Sequence, residues 1–444
     1  MTQVVPQSKS AVKKIRLKSK EERRFKQGHP WVFSNELQES PKSVEVGELV
    51  ELCDAGGAFL AYGFGNPNSL ISFRELTREQ NSKHIKDGKL SATFFVDRFE
   101  RAMKFRKSWF KLNESFRLIY GEADGLSGLI IDRFVGPKQV VYVVQPHASG
   151  MDKNLELIRE ALKTLSEGLE DHYAHLIIRR DASSREREGL TKDAPEVMTI
   201  TGAKPKEELL EQLTRFSFRV PNEYGAELMI SADLIGGQKT GFFFDQLQNI
   251  KRLESVVKEK LKLNPVTNFK VLDLCAYVGQ WGAHLGRMIE TTPAGHMSYV
   301  AVDVSEKALQ FVKMNVKATH IGAETVKADV LEPIEALAQR TFDLVIADPP
   351  AFIKNRKSIP QGKQAYVQLY QTAIEKTQAG GLVIACSCSQ LLSHEEFLEC
   401  LGKATRRSKK TVRWLSQGSP SFDHFARLDF QEGHYLKSFI GQVE

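Results

Sequence analysis

Between Ile15 and Glu75 the apolar residues fall in short alternating runs, "GELVELCD", "GAFLAYGFGNPNS" and "LISFREL", broken by glycine and by Asn-Pro. A period of two puts every second side chain on one face, so this stretch predicts a small β-barrel or roll over residues 13–88. The period then lengthens. "ATFFVDRFERAMKFRKSWFKL", residues 92–112, spaces Phe94, Phe95, Phe99, Met103 and Trp109 as a helix does. After it come "FRLIYGEADGLSGLIIDRF", the strand-like "VVYVVQ", a helical stretch near Lys153–Leu165 and "AHLIIRR", together predicting a mixed α+β unit over 89–212. From about Arg215 four strand candidates, "FKVLDLC", "SYVAVDV", "TFDLVIAD" and "GGLVIACS", alternate with helical stretches such as "SEKALQFVKMNVKAT". That rhythm predicts a doubly wound, Rossmann-like α/β domain with a parallel sheet over 213–444. Ligands of such sheets bind beyond the carboxyl ends of the strands, so the residues ending them carry the candidate chemistry.

Composition adds limits. A chain of 444 residues, 41% hydrophobic, suits two or three domains with their own cores. No apolar run reaches membrane-spanning length, and the basic N-terminus lacks the apolar stretch of a secretory signal. Five cysteines without a paired framework point to a reducing compartment, so a cytoplasmic protein without membrane association is expected. Residues 1–30 hold Lys9, Lys13, Lys14, Arg16, Lys18, Lys20, Arg23, Arg24 and Lys26 against Glu21 and Glu22, an excess equal to the whole chain's net charge of +7. A basic end of this kind suits a polyanion, with Lys13, Lys14 and Arg16 as candidate contacts; a solvated tail is the plain alternative.

The strand ends supply one half of a site. "VLDLCAYVGQWG", Val271–Gly282, reads as a strand, a tight turn and a helix start, with Asp273, Cys275, Ala276, Tyr277 and Gly279 at its ligand edge. It lacks GxGxxG, which argues against a nicotinamide enzyme. Asp303 ends the second strand, where a carboxylate can take both hydroxyls of a ribose. Ala328 and Asp329 end the third, suited to flanking an adenine. "ADPPAF" ends the fourth and resembles the motif of S-adenosylmethionine-dependent methyltransferases that act on nucleobases. There Asp348 is followed by the rigid Pro349 and Pro350 and the stacking face of Phe352, with Lys354 in the basic run beyond.

Taken over most of its length, the chain resembles the ribosomal RNA large subunit methyltransferase I family, cytosine-C5 methyltransferases of 23S rRNA. The resemblance rests on "GHPWVFSNE" (28–36), "FRLIYGEADGLSGLIIDRF" (116–134), "GQKTGFFFDQ" (237–246), the DPP segment, "SCS" (387–389) and "YLKSF" (435–439). It implies a PUA domain, an α+β linker domain and a class I methyltransferase domain binding S-adenosylmethionine, with Phe244 and Gln246 beside the cofactor. It implies 23S rRNA or a large-subunit particle as partner and no metal, and leaves a homodimer open. Two departures stand out. Leu247 and Ile250 occupy positions where relatives usually carry arginine, leaving Lys251 or Arg252 to substitute, and Gln280 stands where a second glycine is usual.

"ACSCSQLL", Ala385–Leu392, holds the remaining chemistry. C-x-C without a second Cys/His pair leaves a metal shell incomplete, and the spacing is not the C-x-x-C of a redox pair. Cys386 belongs to the strand and packs; Cys388 lies past its end. Cys53, Cys275 and Cys400 are read as packing too. C5 of cytosine is a poor nucleophile until a thiolate adds at C6, and the resemblance makes Cys388 that thiolate, with Asp348 steadying the base, as a protonated donor to N3. A free thiol near 8.5 is brought to 7 by roughly 2 kcal/mol of thiolate stabilisation, expected from turn amides and basic groups. Methylation of a base amine or a purine without a covalent step, and a non-catalytic RNA-binding or assembly factor, are the competing readings.

Overall fold

The computed structural model describes residues 12–171, 173–224 and 227–444. Lys9 lies outside them. The alternating N-terminal segments form one five-stranded sheet: β1 (Lys13–Arg16), β2 (Trp31–Phe33), β3 (Glu48–Cys53), β4 (Phe59–Gly65) and β5 (Ile71–Thr77), ordered β1-β3-β4-β5-β2. Their inward positions, among them Ile15, Val32, Val50, Leu52 and Phe73, close a small core of their own.

A short ribbon, β6 (Ile85–Lys86) with β7 (Lys89–Leu90), leads to helix Ala92–Arg106. The helix stops there, three residues short of Trp109, which the spacing had placed among its apolar positions and which is exposed. The second helix runs Leu155–Gly168, after a short turn of helix at Ser149–Lys153. Both longer helices cover one face of a five-stranded sheet made of β8 (Phe116–Tyr120), β9 (Leu129–Val135), β10 (Val140–Pro146), β11 (His175–Ile178) and β12 (Glu196–Thr199). The other face is covered as well. Phe134, Val141, Val143 and Ile177 pack on the hairpin of β13 (Phe216–Val220) and β14 (Leu228–Ala232), which also meets Leu247, Val278 and Phe311. Burial on both faces explains why β10 is apolar without alternation. It also joins the hairpin to the middle unit as firmly as to the C-terminal one.

The C-terminal sheet has β15 (Phe269–Leu274), β16 (Met297–Asp303), β17 (Ala323–Lys327), β18 (Phe342–Ala347), β19 (Thr377–Ser387), β20 (Val412–Gln417) and β21 (Lys437–Val443), ordered β17-β16-β15-β18-β19-β21-β20. Five strands are parallel, but β21 runs antiparallel to both β19 and β20, so the sheet is mixed where a parallel one was expected. The order reverses at β15 and β18, the place where such sheets open a crevice at their carboxyl edge.

Residues 418–436, between β20 and β21, bind the three units together. Phe430 lies edge-on to Trp31 at 4.8 Å, Asp423 accepts the Arg117 N–H at 2.8 Å, and the Ser421 N–H donates to the carbonyl of Asp245 at 2.9 Å.

Helices Leu247–Leu263 and Gln280–Ile289 bury Glu254 against His284, with Oε1 and Nδ1 3.8 Å apart. Burial pushes the Glu254 carboxyl up to about 8 and the His284 imidazole down to about 3, so both are neutral at pH 7. Below pH 6.5 the two oppose each other. Between about pH 6.5 and 8 only Glu254 still binds a proton in the folded state that the unfolded chain has released. Stability is therefore expected to fall by about 2 kcal/mol across that window. Glu254→Gln should flatten this decline in urea melts at the two pH values.

Candidate active site

A cavity of about 520 Å³ opens at the carboxyl edge of the C-terminal sheet. Cys275, Ala276 and Tyr277 from the turn after β15, Asp303 and Val304 after β16, and Ala328 to Leu331 after β17 form one wall. Asp348 to Phe352 after β18 and Cys388 after β19 form the other, and Lys239, Phe243, Asp245, Gln246 and Leu436 cover it.

The turn after β15 is strained. Cys275 and Tyr277 are not glycine yet have φ of 70° and 49°, and Gly279 follows at 79°. Such conformations cost of order 1–3 kcal/mol each and concentrate where a backbone must be aimed. Asp303 holds the turn in place, its Oδ2 accepting the Tyr277 N–H at 2.9 Å while Oδ1 accepts the Ser305 N–H at 2.8 Å. Each oxygen keeps a lone pair for a ligand. Gly279 does not touch the cavity. It caps helix Gln280–Ile289, and a Cβ there would lie 3.1 Å from the Val312 Cα.

Three further expected contacts are corrected. Asp273 is fully buried behind the cavity wall, where it accepts the Tyr299 hydroxyl and burial holds its carboxyl well above the usual range. Phe244 packs into the core against Phe134 and Phe242, and its neighbour Phe243 lines the cavity, because adjacent residues of the "GFFF" run face opposite ways. Neither Lys251 nor Arg252 reaches the site: they meet Glu223 at 2.9 Å and the Ser416 hydroxyl at 3.0 Å. Leu247 and Ile250 are core residues. The cation of the cavity is Lys239, 2.8 Å from Asp245, and sequence reading missed it along with Trp281 and Asp245.

Asp348 and Cys388 both line the cavity. Asp348 accepts the Gln246 amide at 2.7 Å and the Trp281 indole N–H at 3.1 Å, and Gln246 is fixed in turn by Asn249 at 2.7 Å. Burial and the nearby Asp245 raise the Asp348 carboxyl to about 6 against those hydrogen bonds. The Cys388 thiol donates to the Pro349 carbonyl at 3.8 Å. Burial, with the Asp348 and Asp245 carboxylates, pushes it up to about 11 despite Lys239. The lowered thiol expected from turn amides and basic groups is absent: burial, with the carboxylates adding to it, outweighs the single amine. Cys386 is buried within β19 and meets Ser438. Lys437, its amine lowered to about 8 by burial, donates to the carbonyls of Ser389 and Tyr435 and ties β21 to the segment carrying Cys388.

Lys354 lies on the loop beyond the cavity. Three of the N-terminal cations are paired with carboxylates further along the chain, Lys14 with Glu51 at 2.9 Å, Arg16 with Glu39 at 2.7 Å and Arg24 with Glu36 at 2.9 Å, while Lys13 donates to the Ser43 carbonyl. Their carboxylate partners lie outside residues 1–30, so counting charge within that window missed them.

The cavity fits S-adenosylmethionine. Asp303 faces it with free lone pairs, apolar Val304, Val330 and Leu331 suit an adenine, and two buried acceptors of lining residues, Gln280 Oε1 and Asp245 Oδ1, have no protein partner.

Residues 15–78 match the family model of the PUA-like domain, and residues 255–412 that of the methyltransferase small domain. A solved structure described as a SAM-dependent methyltransferase from Streptococcus mutans superposes with a TM-score of 0.71 at 19% identity, over 97% of this chain and 100% of that one. A methyltransferase solved in complex with SAH gives 0.72 at 19% identity with the same coverage. These likenesses show the fold. With the cavity and the domain matches, they define an S-adenosylmethionine-dependent methyltransferase carrying an N-terminal PUA-like domain. The chain is 28% identical over 424 residues to the ribosomal RNA large subunit methyltransferase I of Enterobacter sp. (strain 638), covering 94% of this chain and 95% of that protein. The protein of that name from Shewanella frigidimarina (strain NCIMB 400) is 28% identical over 438 residues, at 97% and 99% coverage. The chain is a homologue of the ribosomal RNA large subunit methyltransferase I proteins over nearly its whole length.

Proposed function

We propose that this enzyme methylates C5 of a cytosine in large-subunit (23S) ribosomal RNA through a covalent bond between Cys388 and C6. The observation that carries the reading is that a thiol, Cys388, and a carboxyl, Asp348, line the cavity at the ends of the adjacent strands β19 and β18. The names of the full-length relatives support the substrate.

S-adenosylmethionine supplies the methyl group as an electrophile. Cys388 passes its proton to water as its sulfur bonds to C6, while Asp348, protonated, gives its proton to N3. C5 takes the methyl as the methyl–sulfonium bond breaks and the thioether leaves, then loses its own proton to water or a carboxylate at the cavity wall; the S–C6 bond breaks, the N3 proton returns to Asp348, and the sulfur leaves as a thiolate that water reprotonates. A base stacked in a helix cannot present C6 to a side chain, so the cytosine enters the cavity extruded from the RNA. Among the described residues no group of three or more His, Cys, Asp or Glu could hold a metal, and no helix is long and apolar enough to cross a membrane. Bisulfite sequencing of rRNA from a strain lacking the protein tests the reading: one cytosine should lose its protection, and an unchanged pattern rejects it.

The pH profile follows from the two groups. Below pH 11 the thiolate fraction rises tenfold per unit, and above pH 6 the protonated fraction of Asp348 falls tenfold per unit. The product is level, so kcat/KM should vary little from about pH 7 to 9. Asp348→Asn has a donor that does not titrate, and its residual rate should climb with pH across the same range. A level profile in that variant would remove Asp348 as proton donor.

The protonated thiol favours one second reading, methylation of a base amine with Cys388 as bystander. That route forms no adduct with 5-fluorocytosine RNA.

A further inference from the structure

We propose that the end of helix Ala92–Arg106 and the loop after β20 form a stacking platform for single-stranded RNA flanking the target nucleotide. The proposal rests on RNA being the substrate.

Trp109 and Phe422 come from segments more than three hundred residues apart, yet their ring centroids lie 4.4 Å apart, with 51% and 41% of their surfaces exposed. Phe105, 39% exposed, lies 4.7 Å from Phe425 beside them. Two elements thus meet to leave paired aromatic rings partly exposed to solvent, which packing alone does not explain. Around the rings stand Arg101, Lys104, Lys107 and Lys111, all exposed, and among the described residues none of the four has a carboxylate within ion-pair distance. The N-terminal cations Lys14, Arg16 and Arg24 all have one. Of the nearby acids, Asp423 is buried under the Arg117 N–H and Glu114 accepts the Lys111 N–H, leaving Glu100 on the helix surface.

The platform adjoins the cavity. Ser421, next to Phe422, donates its N–H to the carbonyl of Asp245, a residue that lines the cavity. A duplex would meet the lysines but offer no free base faces to the rings. A single strand offers both, phosphates to the cations and bases to Trp109 and Phe422. An extruded cytosine leaves its neighbours unstacked, and these are the bases such a surface would hold.

The test is binding of a labelled, unstructured pyrimidine oligoribonucleotide over a salt series, using the full chain. Trp109→Ala and Phe422→Ala should each weaken binding by about tenfold. Gln at Lys104, Lys107 and Lys111 should flatten the log–log salt slope by about 0.7 per contact, roughly 2 in all. Gln at Lys13, Lys14, Arg16 and Lys18 should change it by less than about 0.7, one contact. Affinity for S-adenosylmethionine should stay at the wild-type value throughout, which checks folding. Wild-type RNA affinity and slope in the platform variants would overturn the proposal while leaving the RNA substrate intact. Failure of the wild-type protein to bind RNA would remove the substrate reading and the platform with it. Loss of binding to an acidic peptide but not to RNA would assign the surface to a protein partner and also overturn it.

Discussion

Cys388→Ala is expected to abolish methyl transfer, by roughly three orders of magnitude or more, and to abolish the covalent adduct with 5-fluorocytosine RNA. Affinity for S-adenosylmethionine should be nearly unchanged. The thiol follows β19, three places along the sheet from β16, whose end carries Asp303 and Val304, and it donates to the Pro349 carbonyl. Its position near 11 means that forming the thiolate at pH 7 costs about 5 kcal/mol in the free protein. Only a small fraction of Cys388 is therefore thiolate at pH 7 in the free protein, and attack on C6 of the bound cytosine draws that fraction off. Cys386→Ala is the control. That side chain is closed inside β19, so its truncation should cost about 1 kcal/mol of stability and leave both readouts in place. Adduct formation by Cys388→Ala but not by Cys386→Ala would reverse the assignment. Methylation by both variants would end the covalent mechanism.

Asp303→Ala should weaken S-adenosylmethionine binding by roughly a hundredfold or more in calorimetry. Two hydrogen bonds from ribose hydroxyls to a carboxylate contribute about 1.5–3 kcal/mol each. The same carboxylate fixes the Tyr277 and Ser305 amides, so its loss also loosens the strained turn. Asp329→Ala should cost about tenfold, since that exposed side chain offers one contact beside the adenine. Retention of wild-type affinity by Asp303→Ala would show that the ribose is held elsewhere.

Periodicity along the chain determined much of this architecture, because burial of one face imposes a repeat that neighbours in sequence reveal. The shift from alternating runs to a strand–helix rhythm separated the N-terminal sheet from the Rossmann-like domain. The strand-end rule then located Asp303, Asp329, Asp348 and Cys388, whose place at the carboxyl edge depends only on where each strand stops. Tertiary structure decided what depends on partners distant in sequence. Asp273 ends a strand as Asp303 does, but Tyr299 and the sheet enclose it. Lys14 and Arg16 form a basic run until β3 and Glu39 supply their carboxylates. The antiparallel β21 enters between β19 and β20 from the chain's end, and its insertion draws the 418–436 loop across all three units. That loop brings Phe422 onto Trp109, a contact no local pattern encodes. The thiol's acidity was settled in the same way. Spacing placed Cys388 at the ligand edge, but its burial beside Asp348 and Asp245 arises only when segments distant in sequence close over one cavity.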